Sequence, residues 1–332
     1  MRAGLTVLLL LAGTASADTV LRIAAVAPEG TAWAREARAF AREVQESSHG
    51  AVRIKLYLGG ITGDERESEA RARRGQLDGI ASGSALCMQL APSSRVMQVM
   101  GLFQTRDESA KVAARLRPLF DEELRRAGYV NLGSFAMGPA LPFTSRPLMT
   151  LHDLQQTRFW TWNDDPIYPL ELPLLGMTTV STSLADAGPA FEHGQVDGFI
   201  AIPTAALAFQ WSTQARYVSD LKIGFLRGCF LVSSRAFDQL SVEARETLRS
   251  ASAKLTARLD ELGRAQDEQL LGGLFQRQGL KLVPASVSLR AQFLELARQA
   301  RERLGDKLVP PELLQRVLAM LADLRVAEPI PK

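Results

Sequence analysis

Three histidines, two cysteines and one adjacent pair of aspartates are the residues of this 332-residue chain best suited to acid–base, metal or redox chemistry. His49, His152 and His193 lie far apart, and each reads as a turn or helix-end residue. A shared metal or a general base would require the fold to gather them, and solvated turn positions are the simpler reading. Asp164 and Asp165 precede Pro166, where carboxylates favour the dipole of a helix amino terminus; a general acid is the alternative. Neither a phosphate loop ending in Gly-Lys-Ser/Thr, nor G-x-G-x-x-G after a strand, nor a G-x-S-x-G elbow occurs. Cys87 and Cys229 permit one internal disulfide or two inert buried thiols, and their spacing does not choose. No cofactor and no catalytic residue is expected.

Aromatic residues at the ends of expected strands point instead to binding. In open parallel sheets a ligand lies beyond the carboxyl ends of the strands. Trp33 follows the first strand through a short loop, Trp160 and Trp162 end a later strand, Phe199 and Ala201 lie in another, and Trp211 comes soon after. Period 2 puts Trp160 and Trp162 on one face, with Phe159 and Thr161 on the other. Each aromatic would also suit a core; their shared address makes them candidates as a group.

The elements that would position them form a repeated pattern. Leu21 to Ala27 is a buried-strand run, Trp33, Ala37, Phe40, Ala41 and Val44 recur at helical spacing, and Val52 to Leu58 is a second strand. A charged helix from Asp64 to Arg74 and a strand from Ile80 to Ser82 complete β-α-β-α-β. The order returns as strand Arg158–Trp162, helix Pro166–Leu175, strand Thr178–Val180, helix Leu184–His193 and strand Gly198–Ala201. Gly75-Gln76-Leu77-Asp78-Gly79 and Gly194-Gln195-Val196-Asp197-Gly198 mark the same helix-to-strand junction in each unit. Two such units imply two lobes with a cleft between them. From Ser241 to Gln278 a proline-free leucine pattern predicts a helix about 55 Å long, enough to lie across both. Leu289 to Leu304 and Pro311 to Leu324 are further amphipathic helices, and Glu328 to Lys332 reads as a disordered tail.

Composition narrows the class. The chain is 46% hydrophobic and 23% charged, which excludes disordered, collagenous and coiled-coil classes. Lys and Arg exceed Asp and Glu by only 39 to 36 and are interspersed, so no nucleic-acid partner is expected. Arg2, the apolar stretch Leu5 to Ala12 and Ala15-Ser16-Ala17 read as a secretory signal over residues 1–17, with a mature start at Asp18. The apolar run falls short of the ~20 residues that span a bilayer. A soluble protein in an oxidising compartment is expected, most simply a bacterial periplasm.

In this frame the chain resembles the DctP family, the periplasmic substrate-binding proteins of TRAP (tripartite ATP-independent periplasmic) transporters. The resemblance rests on the order and spacing of several stretches: Ala27 to Trp33, Gly59 to Glu67, Gly75 to Asp78, Thr144 to Leu148, Leu151 to Leu154, Gly194 to Gly198 and Phe237 to Ser241. It implies an α/β, two-lobed periplasmic-binding-protein fold with mostly parallel sheets, helices on both faces, and lobes joined by hinge strands and a long spanning helix. Residues 18–138 would form mainly the first lobe, 139–235 mainly the second, and 236–332 the spanning and C-terminal helices. It also implies a small-molecule ligand, TRAP membrane subunits as partners, and a periplasmic tetratricopeptide-repeat protein as a further one.

Against the family pattern, the arginine that usually clamps a carboxylate is replaced by Trp160, a second falls near Ala140, and the polar run after V-D-G is Phe199-Ile200-Ala201. An indole offers an apolar face and one donor where a guanidinium offers a fork. The expected ligand is therefore apolar or amphipathic, bound by Trp33, Trp160, Trp162, Phe199, Ala201, Trp211, Arg66 and Arg146. Competing readings are a carboxylate binder in which Arg146, Arg158 or Arg66 takes over the clamp, a periplasmic hydrolase, and a ligand-sensing subunit.

Overall fold

In the computed structural model, which describes residues 19–327, the chain opens with strand β1 (Thr19–Ala25), whose Leu21, Ile23 and Ala24 are buried. Helix α1 (Ala32–Ser47) starts where the Thr31 hydroxyl accepts the N–H of Ala34, and it buries Phe40 and Val44 against the sheet. Strand β2 (Val52–Tyr57), helix α2 (Glu65–Arg73) and strand β3 (Gly79–Ser82) follow, with β2 and β3 both parallel to β1. Asp64 and Glu67 form a reciprocal cap on α2. Helices α3 (Ser84–Leu90) and α4 (Arg106–Arg126) complete the first unit.

The chain then crosses to the second unit on β4 (Tyr129–Thr144), a 16-residue strand. There α5 (Leu151–Gln156), β5 (Arg158–Trp162), α6 (Tyr168–Glu171), β6 (Thr178–Thr182), α7 (Ala187–Glu192), β7 (Gly198–Ala201), α8 (Pro203–Ala208) and β8 (Tyr217–Ser219) are built, and β9 (Gly224–Ser233) brings the chain back. β4 runs antiparallel to β9 from Tyr129 opposite Ser233 to Ala140 opposite Gly224, then antiparallel to β7 from Leu141 to Thr144. The strand order is β2-β1-β3-β9-β4-β7-β5-β6. Pairing is parallel within each β-α-β-α-β unit and antiparallel where the crossing strands join them, so the whole is more mixed than the mostly parallel expectation. β4 carries two register shifts. At one of them Gly138 takes a φ of 141°, and a Cβ there would meet the Asp267 carboxylate at 2.7 Å.

The duplicated motif proves to be a duplicated device. Arg22 in β1 donates to Asp78 (2.8 and 3.1 Å) and to the carbonyl of Gly75 (2.8 Å). Arg158 in β5 donates to Asp197 (2.7 and 3.0 Å) and to the carbonyl of Gly194 (2.8 Å). In each unit a guanidinium fork on a strand fastens the helix-to-strand turn beside it.

After α9 (Ser234–Asp238), helix α10 (Val242–Gln269) is capped by Ser241 and buries Leu248 and Leu255 with Phe40 and Phe230 of the first unit. It ends nine residues before the expected Gln278, because the chain widens over Leu270–Leu274 and Gly273 takes a φ of 141°. At ~1.5 Å per residue, 28 residues span about 42 Å rather than 55. Leu270 and Phe275, in α11 (Phe275–Arg277), then pack with Trp160 and Phe199 of the second unit, so the segment does bridge both. β10 (Lys281–Val283) pairs with β8. Helices α12 (Val287–Leu304) and α13 (Pro311–Ala327) share one apolar cluster with Val112 and Leu116 of α4 and Phe159 of β5. Cys87 of α3 and Cys229 of β9 are joined in a disulfide, which decides between the two states that spacing left open. The expected signal over 1–17 and the tail after 327 lie outside the described residues.

Candidate functional site

The carboxyl ends of β5 and β7 face the first unit across a polar seam. Asp164, two residues beyond β5, accepts from Arg66 of α2 at 2.6 Å, and its carbonyl accepts from Gln89 of α3 at 3.0 Å. Asp165 accepts from Gln98 at 2.6 Å with one oxygen and from the N–H groups of Ile167 and Tyr168 with the other, which holds the turn into α6; the N-cap residue itself, Ile167, makes no side-chain cap. Beneath Arg66, the Glu65 carboxylate is buried and accepts from Ser82 Oγ (2.7 Å), Gly83 N (2.6 Å) and Leu86 N (3.1 Å). Burial raises the pKa of Glu65 despite these bonds, and the charge of Asp164 adds to the rise. Burial also raises Asp164, against the pull of Arg66. At the far side of the seam Glu171 is fully buried, accepts from Met100 N at 3.1 Å, and is pushed up to about 8 by burial.

Trp160, Phe199, Ala201 and Trp211, proposed from sequence as ligand contacts, come together, all buried, in the apolar core of the second unit. Trp160 lies 5.1 Å from Trp211, Phe199 5.6 Å from Trp211, and Phe143 stacks on Phe199 at 4.9 Å. The one donor of Trp160 is used internally, on Thr182 Oγ1 at 2.7 Å. The alternation along β5 is as expected, since Phe159 belongs to the opposite cluster. Trp162, half-buried at the strand's end, has a buried indole N–H without a partner; so do the Thr204 hydroxyl just beyond β7 and Asp164 Oδ2. Trp33 is half-buried in the first turn of α1, on the first unit.

Of the arginines, only Arg66 is at the seam, and it is engaged by Asp164. Arg158 begins β5 and is spent on Asp197, while Arg146 is exposed just past β4 with its charge beside Asp197. Both thus sit at the amino ends of β5 and β7, the far end from the seam. The tertiary structure does not bring Arg146 to Trp162 and Asp164, because β4 runs antiparallel to β7 and delivers its last residues to that end. Sequence reasoning missed Glu65, Gln89, Gln98 and Thr204. Asp164 was visible beside Asp165, but as a helix-end carboxylate or a general acid rather than as the partner of Arg66.

Among the described residues no cluster of His, Cys, Asp and Glu could hold a metal, and no helix is long and apolar enough to cross a membrane. The profile of the DctP family, described as bacterial extracellular solute-binding protein, family 7, matches residues 23–307. The chain belongs to the DctP family. Its members are solute-binding proteins of the TRAP type rather than enzymes, and both the two-unit fold and the seam suit that class. A solute-binding protein of Chromohalobacter salexigens is 22% identical over 215 residues, 64% of each chain. A TRAP periplasmic solute-binding protein of Desulfovibrio desulfuricans, solved with bound sn-glycerol-3-phosphate, superposes with a TM-score of 0.85 at 18% identity over 95% of this chain and 99% of its own. Another, from Bordetella bronchiseptica with density interpreted as pantoate, gives 0.83 at 16% identity over 91% and 99%. At these identities the likeness is one of fold.

Proposed function

We propose that this DctP-family protein is a periplasmic receptor that captures an apolar or amphipathic, lipid-like small molecule between its two lobes and delivers it to TRAP membrane subunits. The observation that carries this reading is the set of polar atoms left unpartnered at the carboxyl ends of β5 and β7. They are the indole N–H of Trp162, the hydroxyl of Thr204 and Asp164 Oδ2, two neutral groups and an anionic oxygen. Arg66 already serves Asp164, and Ala140 and Trp160 stand where a clamp would be expected. A dicarboxylate in the cleft would meet Asp164 and Glu65 and would have to share the exposed Arg66 with Asp164, and burying it so costs several kcal/mol. A ligand with an apolar body and a neutral polar group fits these atoms.

Pantoate and sn-glycerol-3-phosphate, assigned in two proteins of the same fold, make an acid the competing outcome. Extraction of the purified protein and mass spectrometry should identify a co-purified apolar or amphipathic molecule, and titration with fatty acids or isoprenoids should show tighter binding than titration with succinate or malate. Micromolar succinate binding with no apolar ligand detected would overturn the reading. The periplasmic location, the signal over residues 1–17 and a tetratricopeptide-repeat partner rest on the sequence and the family. Fractionation checks the first two, and co-purification from periplasm checks the third.

A further inference from the structure

A cavity of about 270 Å3 lies apart from the proposed cleft residues, between α3, α4 and β9. None of Trp33, Arg66, Arg146, Trp160, Trp162, Phe199, Ala201 or Trp211 lines it. Met88, Met97, Ala113 and Phe225 give it an apolar wall, and the Cys87–Cys229 disulfide adds to it. Ala110 and Ala114, exposed on α4, are the side on which it reaches solvent.

Two buried polar atoms without partners belong to residues of this lining. Arg227 on β9 is half-buried, but its Nη1 is buried and has no hydrogen-bond acceptor. Gln98, 2% exposed, has its Oε1 unpartnered while its amide N–H reaches Asp165 at the seam. One is a donor in a planar fork that suits a carboxylate, the other an acceptor that suits a hydroxyl. Burial opposes the charge of Arg227, Asp260 attracts it and Arg106 repels it, and Arg106 is itself tied to Asp267 at 2.5 Å. Asp260 also lines the cavity, but one of its oxygens accepts the N–H of Ala136. What Arg227 lacks is therefore an acceptor for one N–H, a geometric requirement that a second carboxylate oxygen meets.

We propose that this cavity is a second ligand site, which takes a small apolar hydroxy acid. The carboxylate accepts from Arg227, the hydroxyl donates to Gln98 Oε1, and the apolar body lies against Met88, Met97 and Phe225. The volume is just under the ~300–1,000 Å3 of small-molecule sites, so the body is limited to a single ring or a short branched chain. Because Gln98 also holds Asp165, occupancy of this site touches the seam between the lobes.

Calorimetric titration of the whole mature protein with mandelate tests the proposal, with phenylacetate as the analogue lacking the hydroxyl. Mandelate is expected to saturate one site and phenylacetate to bind at least fivefold more weakly. Arg227→Met is expected to weaken mandelate at least tenfold. Ala114→Trp, an exposed substitution that narrows the mouth and leaves Arg227 intact, should do the same if Arg227→Met folds poorly. Any molecule co-purified in the interlobe cleft should remain with both variants, which separates this site from the proposed function. Absence of saturable mandelate binding, or equal affinity in the wild type and both variants, would overturn it.

Discussion

Trp160 shows how one substitution can be structural while still bearing on recognition. The resemblance implies an arginine at this position, and the Trp160 that stands there is 5% exposed with its N–H satisfied by Thr182. Trp160→Ala should therefore lower stability by about 3–5 kcal/mol, the range for emptying a large aromatic site, as measured by urea denaturation. Its effect on ligand affinity should be smaller than that of Trp162→Phe, which removes a buried donor with no internal partner. Arg158→Ala should leave affinity unchanged, since its fork is committed to Asp197 at the amino end of the strand. Glu171 supplies a pH dependence. Its carboxyl titrates at about 8 in the fold against an ordinary 4.5, with Asp165 adding to the rise and Arg301 opposing it. The folded state thus retains a proton that the unfolded chain has released, and stability falls as pH rises between those values, by up to about 1.4 kcal/mol per unit. Glu171→Gln should therefore be more stable than the wild type at about pH 8 and nearly equal at about pH 4, read from denaturation midpoints.

At the scale of elements, α3 and β9 are bound covalently across 142 residues of chain. Closing a loop of that length restricts the unfolded state by roughly 5 kcal/mol in the chain-entropy account, an upper value for what the bridge contributes. Cys87→Ala with Cys229→Ala, or reduction, should lower the denaturation midpoint accordingly; an unchanged midpoint under reducing conditions would show that the bridge is not formed. The helices were the more legible elements, because caps such as Ser241 and the leucine spacing of α10 are local signals. β4 was not legible. It contains Gly133, Gly138, Pro139 and Pro142, residues that discourage a strand, and only antiparallel partners on both sides hold it extended. The end of α10 was misplaced for the converse reason: no proline stops it, and the widening at Gly273 accompanies packing of Leu270 and Phe275 into the second unit.

For the whole molecule, two crossing strands, α10 and the cluster of α12 and α13 join the units, while Arg66 to Asp164 and Gln98 to Asp165 span the seam. A ligand that bridges the seam should favour the closed arrangement, as hinge closure requires. Solution scattering should show a smaller radius of gyration on ligand addition. Arg66→Ala should shift the unliganded protein toward the open form, because it leaves Asp164 without its cation. An unchanged radius in both experiments would count against closure at this seam.

The amino-acid sequence by itself determined the repeated β-α-β-α-β units, the turn motif that marks both, the family and the class of function. The units and the motif follow from periodicity and caps, which are local, whereas the family and the class follow from the resemblance of ordered stretches to the DctP pattern. The resemblance also implied an arginine where Trp160 stands. Only the tertiary structure decided that Trp160, Phe199 and Trp211 fill a core, that Arg146 and Arg158 stand at the wrong end of their sheet, that the two cysteines pair, and that Arg66 meets Asp164. Each of these depends on which strand lies beside which and in which direction, and the strand that sets both, β4, is held by its neighbours rather than by its own residues.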